Sequence, residues 1–209
     1  MKKAILIGDY EIARLHPLAG IDDALREVFK DVFEIYTANE KVYPNLNYNS
    51  LTQYDLIIFM SEKWSITASK ELVASLVTYV VNGGCLLAIH HGLIVNNTYE
   101  LNLLFASRYK GHAPYCELDY LPTESDCSLA EGIAPITAYD EPYMFDMDVF
   151  KKTNVIMEMV YGNYKYPAIW FHYWGKGKVA CMAPGHSAES IRVFAAPLRN
   201  IGIWMSGDK

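Results

Sequence analysis

The chain has 209 residues, 52% of them hydrophobic, and its 24 acidic and 18 basic side chains leave a formal net charge of −6. That length and apolar content suit one domain, residues 1–209, around one core, and argue against disorder. No basic run offers the footprint that a phosphate backbone requires, so nucleic acid is not a predicted partner.

Lys3–Gly8 is an apolar run that halts at Gly8-Asp9. It is too short for a signal-peptide core or a membrane span and reads as the first strand of a cytoplasmic protein without membrane contact. Ile21, Leu25, Val28 and Phe29 fall at helical spacing, which makes an opening β-α unit. Val32–Tyr36 supplies a second strand. Past the proline-containing loop at Tyr43-Pro44-Asn45, the run Tyr54–Met60 is continuously apolar, the pattern of a strand covered on both faces of a parallel sheet. From Ser65 to Asn82, Leu72, Val73, Leu76, Val77, Val80 and Val81 form a helical stripe that Asn82-Gly83-Gly84 stops. The strand Cys85–Ile89 follows and ends on His90. Strands alternating with helices predict a doubly wound α/β fold with ligands beyond the carboxyl ends of the strands.

Between Asn96 and Met147 the rhythm breaks at Pro114, Pro122, Pro135 and Pro142, and this region reads as loops and short strands laid over the edge of the sheet. Strands return at Asn154–Val160, Pro167–Trp174 and Lys178–Ala183, the last two joined by a turn at Gly175-Lys176-Gly177. Ala188–Met205 is helical in pattern, and Pro197 breaks it or opens a new helix at its first turn.

Four histidines sit at turn-rich places where backbone is open to a ligand: His16 before Pro17, His90 after the fourth strand, His112 after Gly111 and His186 after Pro184-Gly185. Asp140-Glu141 adds two carboxylates. Imidazoles and carboxylates brought together shift one another toward neutrality, the requirement for proton transfer, and the same groups suit a divalent metal such as zinc. No H-x-x-x-H or H-E-x-x-H spacing marks a metal site, however. The aromatic run from Tyr161 to Trp174 reads mainly as core or interface packing, with sugar stacking as its other use. Sixteen tyrosines and four tryptophans favour a globular interior plus either a ligand platform or a subunit interface, the second of which would make a homo-oligomer. Cys85, Cys116, Cys127 and Cys181 have neither paired spacing nor disulfide density, and read as buried or free thiols.

Taken in order, the glycine pair and strand ending in His90, Lys110-Gly111-His112, Asp140-Glu141-Pro142-Tyr143, the stretch Pro167–Val179, Pro184-Gly185-His186 and Ile201–Trp204 resemble the ThuA-like (trehalose utilisation) family of the class I glutamine amidotransferase-like superfamily. The resemblance implies a flavodoxin-like three-layer sandwich with a mainly parallel central sheet. It also sets Ala88-Ile89-His90-His91-Gly92 on the nucleophile elbow of amidotransferases, with His90 where the cysteine nucleophile stands, so glutamine amidotransfer is not expected. His186 corresponds to the later histidine of that site and is expected to face His90. The chain departs from the family pattern at Ser128-Leu129, where a His-Pro is common, and at Lys178, where an arginine is common. The function the resemblance implies is an enzyme acting on a sugar or keto-sugar by acid–base proton transfer. Glu141, His186, His90 and His112 are expected as catalytic groups, and His16, Tyr143 and Trp170 as sugar-binding ones. The alternatives are a non-catalytic carbohydrate-binding or scaffold module and a metal-assisted hydrolase.

Overall fold

A computed structural model describes residues 1–64, 68–124 and 129–207. Its centre is a nine-stranded sheet in the order β2-β1-β3-β4-β11-β10-β9-β6-β7. The first half, β1 (Lys2–Gly8), β2 (Phe33–Ala38), β3 (Leu56–Met60), β4 (Cys85–Ile89) and β11 (Gly177–Met182), pairs in parallel, as the alternation of strands and helices predicts. The second half, β10 (Tyr164–Trp174), β9 (Asn154–Tyr161), β6 (Cys116–Pro122) and β7 (Ile136–Asp140), is antiparallel. β5 (Ser107–His112) and β8 (Tyr143–Met147) form a separate two-stranded sheet.

Strand alternation divides the core into two layers. Ala4, Leu6, Leu56, Ile58, Leu87 and Ile89 face one side, where α1 (Ile21–Phe29), α5 (Ala188–Val193) and α6 (Ala195–Ser206) bury Leu25, Phe29, Ile191, Leu198 and Ile201 against them. Ile5, Ile7, Ile57, Phe59, Leu86 and Ala88 face the other, under α3 (Lys70–Val81) and α4 (Tyr99–Phe105), while α2 (Tyr48–Leu51) contributes Leu51. Covering both faces is what makes β3 and β4 uniformly apolar in sequence.

The helix expected over Ser65–Asn82 runs Lys70–Val81, and Ser69 caps it by accepting the Leu72 N–H. Residues 65–67 lie outside the described part, as do Cys127 and Ser128; Cys116 and Cys181 are free thiols, and the buried Cys85 donates its S–H to the Met205 carbonyl. The C-terminal helical pattern divides at Phe194, which leaves Pro197 in the first turn of α6, where its missing N–H costs nothing. α4 was not predicted: its one-sided apolar set Leu101, Leu104 and Phe105 is only two turns long. Lys178 has a packing role, since Nζ donates to the carbonyl of Trp204 at 2.8 Å and lies over that indole ring. No helix among the described residues is long and apolar enough to cross a membrane.

Candidate functional site

The site forms at the carboxyl ends of the parallel strands. β4 runs directly into a 3-10 turn at His90–Leu93, and His90 takes a left-handed backbone, φ 49°, costing about 1–3 kcal/mol for a residue with a Cβ. Packing holds it there. Gly92 lies so close to the Phe59 carbonyl that a Cβ would overlap it, and Gly185, at φ 137°, leaves room for Ile89 and the Cβ of His90. The strand-to-turn elbow is thus strained, and it aims the His90 imidazole at the Glu141 carboxylate.

Glu141 is the hub. Its Oε2 lies 3.3 Å from Nε2 of His90, 3.4 Å from Nε2 of His16 and 3.4 Å from Nδ1 of His186. His112 stands slightly apart, with Nδ1 3.9 Å from Oε1. Burial opposes ionisation of Glu141, but hydrogen bonding and charge from His90, followed by charge from His186 and His112, hold the carboxyl well below the usual range. It is therefore an anion at neutral pH.

The proton inventory around that anion closes either with protonated imidazoles or with a bound cation in the place of their protons. His90 Nδ1 is 2.7 Å from the carbonyl of Ala183, which can only accept, so a neutral ring carries its proton on Nδ1 and turns the Nε2 lone pair toward the carboxylate. His16 lies between two carboxylates, Glu141 on Nε2 and Glu62 on Nδ1 at 3.5 Å. Burial, then the positive character of His90 and His186, push its pKa down to about 4, so it has one proton for two acceptors. Beyond their contacts with Glu141, the buried Nε2 of His90 and Nδ1 of His186 have no hydrogen-bond partner. His16, His90, Glu141 and His186 each bring one ligand atom to within 4.8 Å of the others. Zinc ligands at 2.0–2.1 Å occupy tetrahedron corners roughly 3.3–3.4 Å apart, the spacing measured around Oε2. The donor set fits a divalent transition metal.

Neighbouring groups hold these ligands. Asp140, fully buried, stands behind the cluster with Oδ1 3.7 Å from Nδ1 of His90, and accepts the N–H of Glu141 at 2.8 Å, the N–H of Gly185 at 2.9 Å and the Ser190 hydroxyl. The two members of the predicted carboxylate pair thus have opposite duties, Asp140 fixing the turn and Glu141 entering the pocket. His91 stacks on His16 at 4.6 Å, and Tyr143 stacks on His90 at 4.2 Å.

The structure moves two expected sugar-binding residues out of reach. Trp170 is wholly buried, because β10 is covered on both faces, and its indole N–H donates to the Phe105 carbonyl. Tyr143 is buried as the support of His90 and offers no open face. His16, expected to contact sugar, joins the ligand cluster. The accessible aromatic wall consists of Tyr115, 47% exposed with its ring 5.1 Å from that of His186, and Tyr139, 58% exposed and 6.1 Å from Tyr115. Glu62, Tyr115 and Tyr139 escaped the sequence reading. Of these, only Glu62 carried a usable signal, its place two residues beyond the end of β3.

A doubly wound α/β scaffold with a histidine–glutamate cluster at its strand ends defines a flavodoxin-like protein. The ThuA family model, described as trehalose utilisation, matches residues 14–196, and the chain belongs to that family. Among solved structures, a ThuA-like protein from Parabacteroides merdae is similar at TM-score 0.79 and 14% identity, over 98% of this chain and 90% of that one. A ThuA-like protein from Bacteroides uniformis follows at TM-score 0.76 and 15% identity, over 97% and 90%. The chain also resembles part of a β-galactosidase from Rahnella, at TM-score 0.70 and 15% identity, covering 95% of this chain and 31% of that one. No functionally curated protein matches the sequence.

Proposed function

We propose that the protein is a divalent-metal-dependent enzyme of sugar metabolism, acting on a sugar or keto-sugar by proton transfer. The observation that carries this reading is the meeting of three imidazole nitrogens on one ionised carboxylate oxygen. His16, His90, His186 and Glu141 would hold the metal, which when bound supplies electrophilic polarisation of a carbonyl or hydroxyl oxygen.

His112 is the group suited to move the proton. Its ring is 38% exposed, and Nδ1 donates to the Ala113 carbonyl at 2.9 Å, which leaves the Nε2 lone pair for a substrate proton. Tyr115 and Tyr139 present flat faces at the mouth, the surface that the C–H side of a pyranose ring stacks on. The family description, trehalose utilisation, agrees with a carbohydrate substrate.

Elemental analysis of the purified protein, then turnover of a panel of sugars and 3-keto-sugars before and after chelation, tests this. The expected result is a stoichiometric transition metal, absent from His90→Ala, and turnover that chelation abolishes and metal restores. Absence of bound metal, or turnover indifferent to chelation, defeats the metal assignment. A metal-loaded protein that binds sugars but converts none is a binding module instead.

A further inference from the structure

The connection between β8 and β9 carries two large apolar side chains into solvent. Asp148, Val149, Phe150 and Lys151 form a turn closed by the Lys151 N–H on the Asp148 carbonyl at 3.2 Å, and Oδ1 of Asp148 accepts the Phe150 N–H at 2.9 Å. Val149 and Phe150 take the two corner positions and are 86% and 97% exposed. Such corners favour glycine, proline, asparagine, aspartate and serine, so the turn itself has no use for this pair. The pair is also held in place: the Asp148 N–H donates to the Ala106 carbonyl at 2.9 Å, and the Lys151 ammonium lies 4.7 Å from the centre of the Trp174 ring.

Beside this knob is a groove of about 440 Å³ between α4 and the end of the β5–β8 sheet, with apolar lining from Tyr99, Leu103 and Met147 and with Asp148 at its edge. Tyr99 is 70% exposed, and Phe150 does not fold back over it. The groove is ample for a phenyl ring, since a closed cavity of about 150 Å³ admits benzene. Phe150 follows Asp148 by two residues, so the Cα atoms of knob and groove edge are at most about 7.6 Å apart and the two features share one face. A knob beside a hole that fits it is self-complementary under a two-fold rotation, each protomer's knob entering the other's hole.

We infer that this face joins two copies of the chain in a symmetric dimer, the Val149–Phe150 corner of each seated against Tyr99, Leu103 and Met147 of the other. The charges agree. Lys152 stands exposed beside the knob, whereas the groove has Asp148 and Asp146, the latter paired with Lys110 at 2.9 Å, against the single guanidinium of Arg108. Phe150 and Tyr99 together would remove on the order of 300 Å² per protomer, against about 800 Å² per side in a stable interface, so they form its centre and not the whole of it. The histidine cluster stays open. His112 pairs with Tyr143 at the cluster end of the small sheet and Ser107 with Met147 at the groove end, five strand steps or about 17 Å away.

Sedimentation equilibrium of the full chain over a wide concentration range tests this, and the expected result is a monomer–dimer equilibrium with nothing larger. Phe150→Ser should weaken dimerisation by about a hundredfold or more, because each dimer loses two aromatic anchors. Its melting temperature, taken where the parent is also monomeric, should not change, since the ring lost was exposed. Leu103→Glu puts a charge in the groove and should dissociate the dimer likewise, with Tyr99→Glu in its place should that variant not fold. Mixing the knob variant with the groove variant restores one intact knob and one intact groove, so the mixture should associate more tightly than either variant alone. A chain monomeric at every concentration, which leaves the face to a different protein, overturns the inference. So does a dimer that Phe150→Ser leaves intact, a mixture that gains nothing, or growth beyond two copies. None of these readings depends on the metal site.

Discussion

Glu62 stands behind His16, its Oε2 3.5 Å from the ring Nδ1 and accepting the backbone N–H of the same residue at 3.0 Å. Burial works against its charge, but Lys63 and the N–H groups of His16 and Leu15 keep the carboxyl below its ordinary range. A carboxylate on Nδ1 fixes the tautomer that leaves Nε2 free to ligate. Glu62→Gln keeps the shape and one acceptor oxygen, so the fold should survive while metal affinity falls about 10–100-fold, read by competition with a chromogenic chelator. Equal affinity in the variant removes Glu62 from the site.

His112 and Glu141 should separate as proton carrier and ligand. His112→Gln should lower kcat by about a hundredfold or more with metal content intact, the scale of general acid–base catalysis. Glu141→Gln should lower turnover at least as far and reduce metal content with it, because a carboxylate donor has been lost. A Glu141→Gln protein with parent turnover excludes any role for that carboxylate, and loss of metal from His112→Gln makes His112 a ligand.

How much of this was legible in sequence depends on how local the cause is. Uninterrupted apolar runs at Leu56–Met60 and Cys85–Ile89 and the stripe of α3 report their own burial, so the parallel half of the sheet could be read directly. His90 and His186 were legible because strand ends and glycine turns mark open backbone. Trp170 was not: in the aromatic run every ring looks alike, and which one faces solvent depends on the neighbours β9 and β11. Glu62 is an ordinary acidic residue until the loop carrying His16 folds over it, across 46 positions of sequence.

Asp140→Asn tests whether the turn bearing His186 is held by charge. The carboxylate accepts from Gly185, Glu141 and Ser190, and an amide must direct two N–H donors into that same ring of donors. Stability should fall by about 2–3 kcal/mol, the cost of losing hydrogen bonds to a buried charged group, with metal affinity falling as well. Chemical denaturation reads the first effect and chelator competition the second. A variant as stable as the parent would falsify the assignment of Asp140 as the anchor of this turn.

His172 sets part of the response to acid at a distance from the site. Its Nε2 is 2.9 Å from the Leu104 carbonyl, its Nδ1 is buried without a partner, and burial pushes its pKa down to about 4. With a folded value below the unfolded value of about 6.5, the unfolded chain takes up a proton that the native state refuses. The stabilisation is therefore complete above pH about 6.5, declines as pH falls toward 4 and is gone below it, a difference of up to about 3 kcal/mol. His172→Gln retains an N–H donor for the Leu104 carbonyl and cannot titrate. Denaturation between pH 4 and 6.5 should then show the variant losing less stability than the parent, its slope against pH shallower by up to one proton. Parallel profiles for the two proteins would mean that His172 is protonated alike in the folded and unfolded chains.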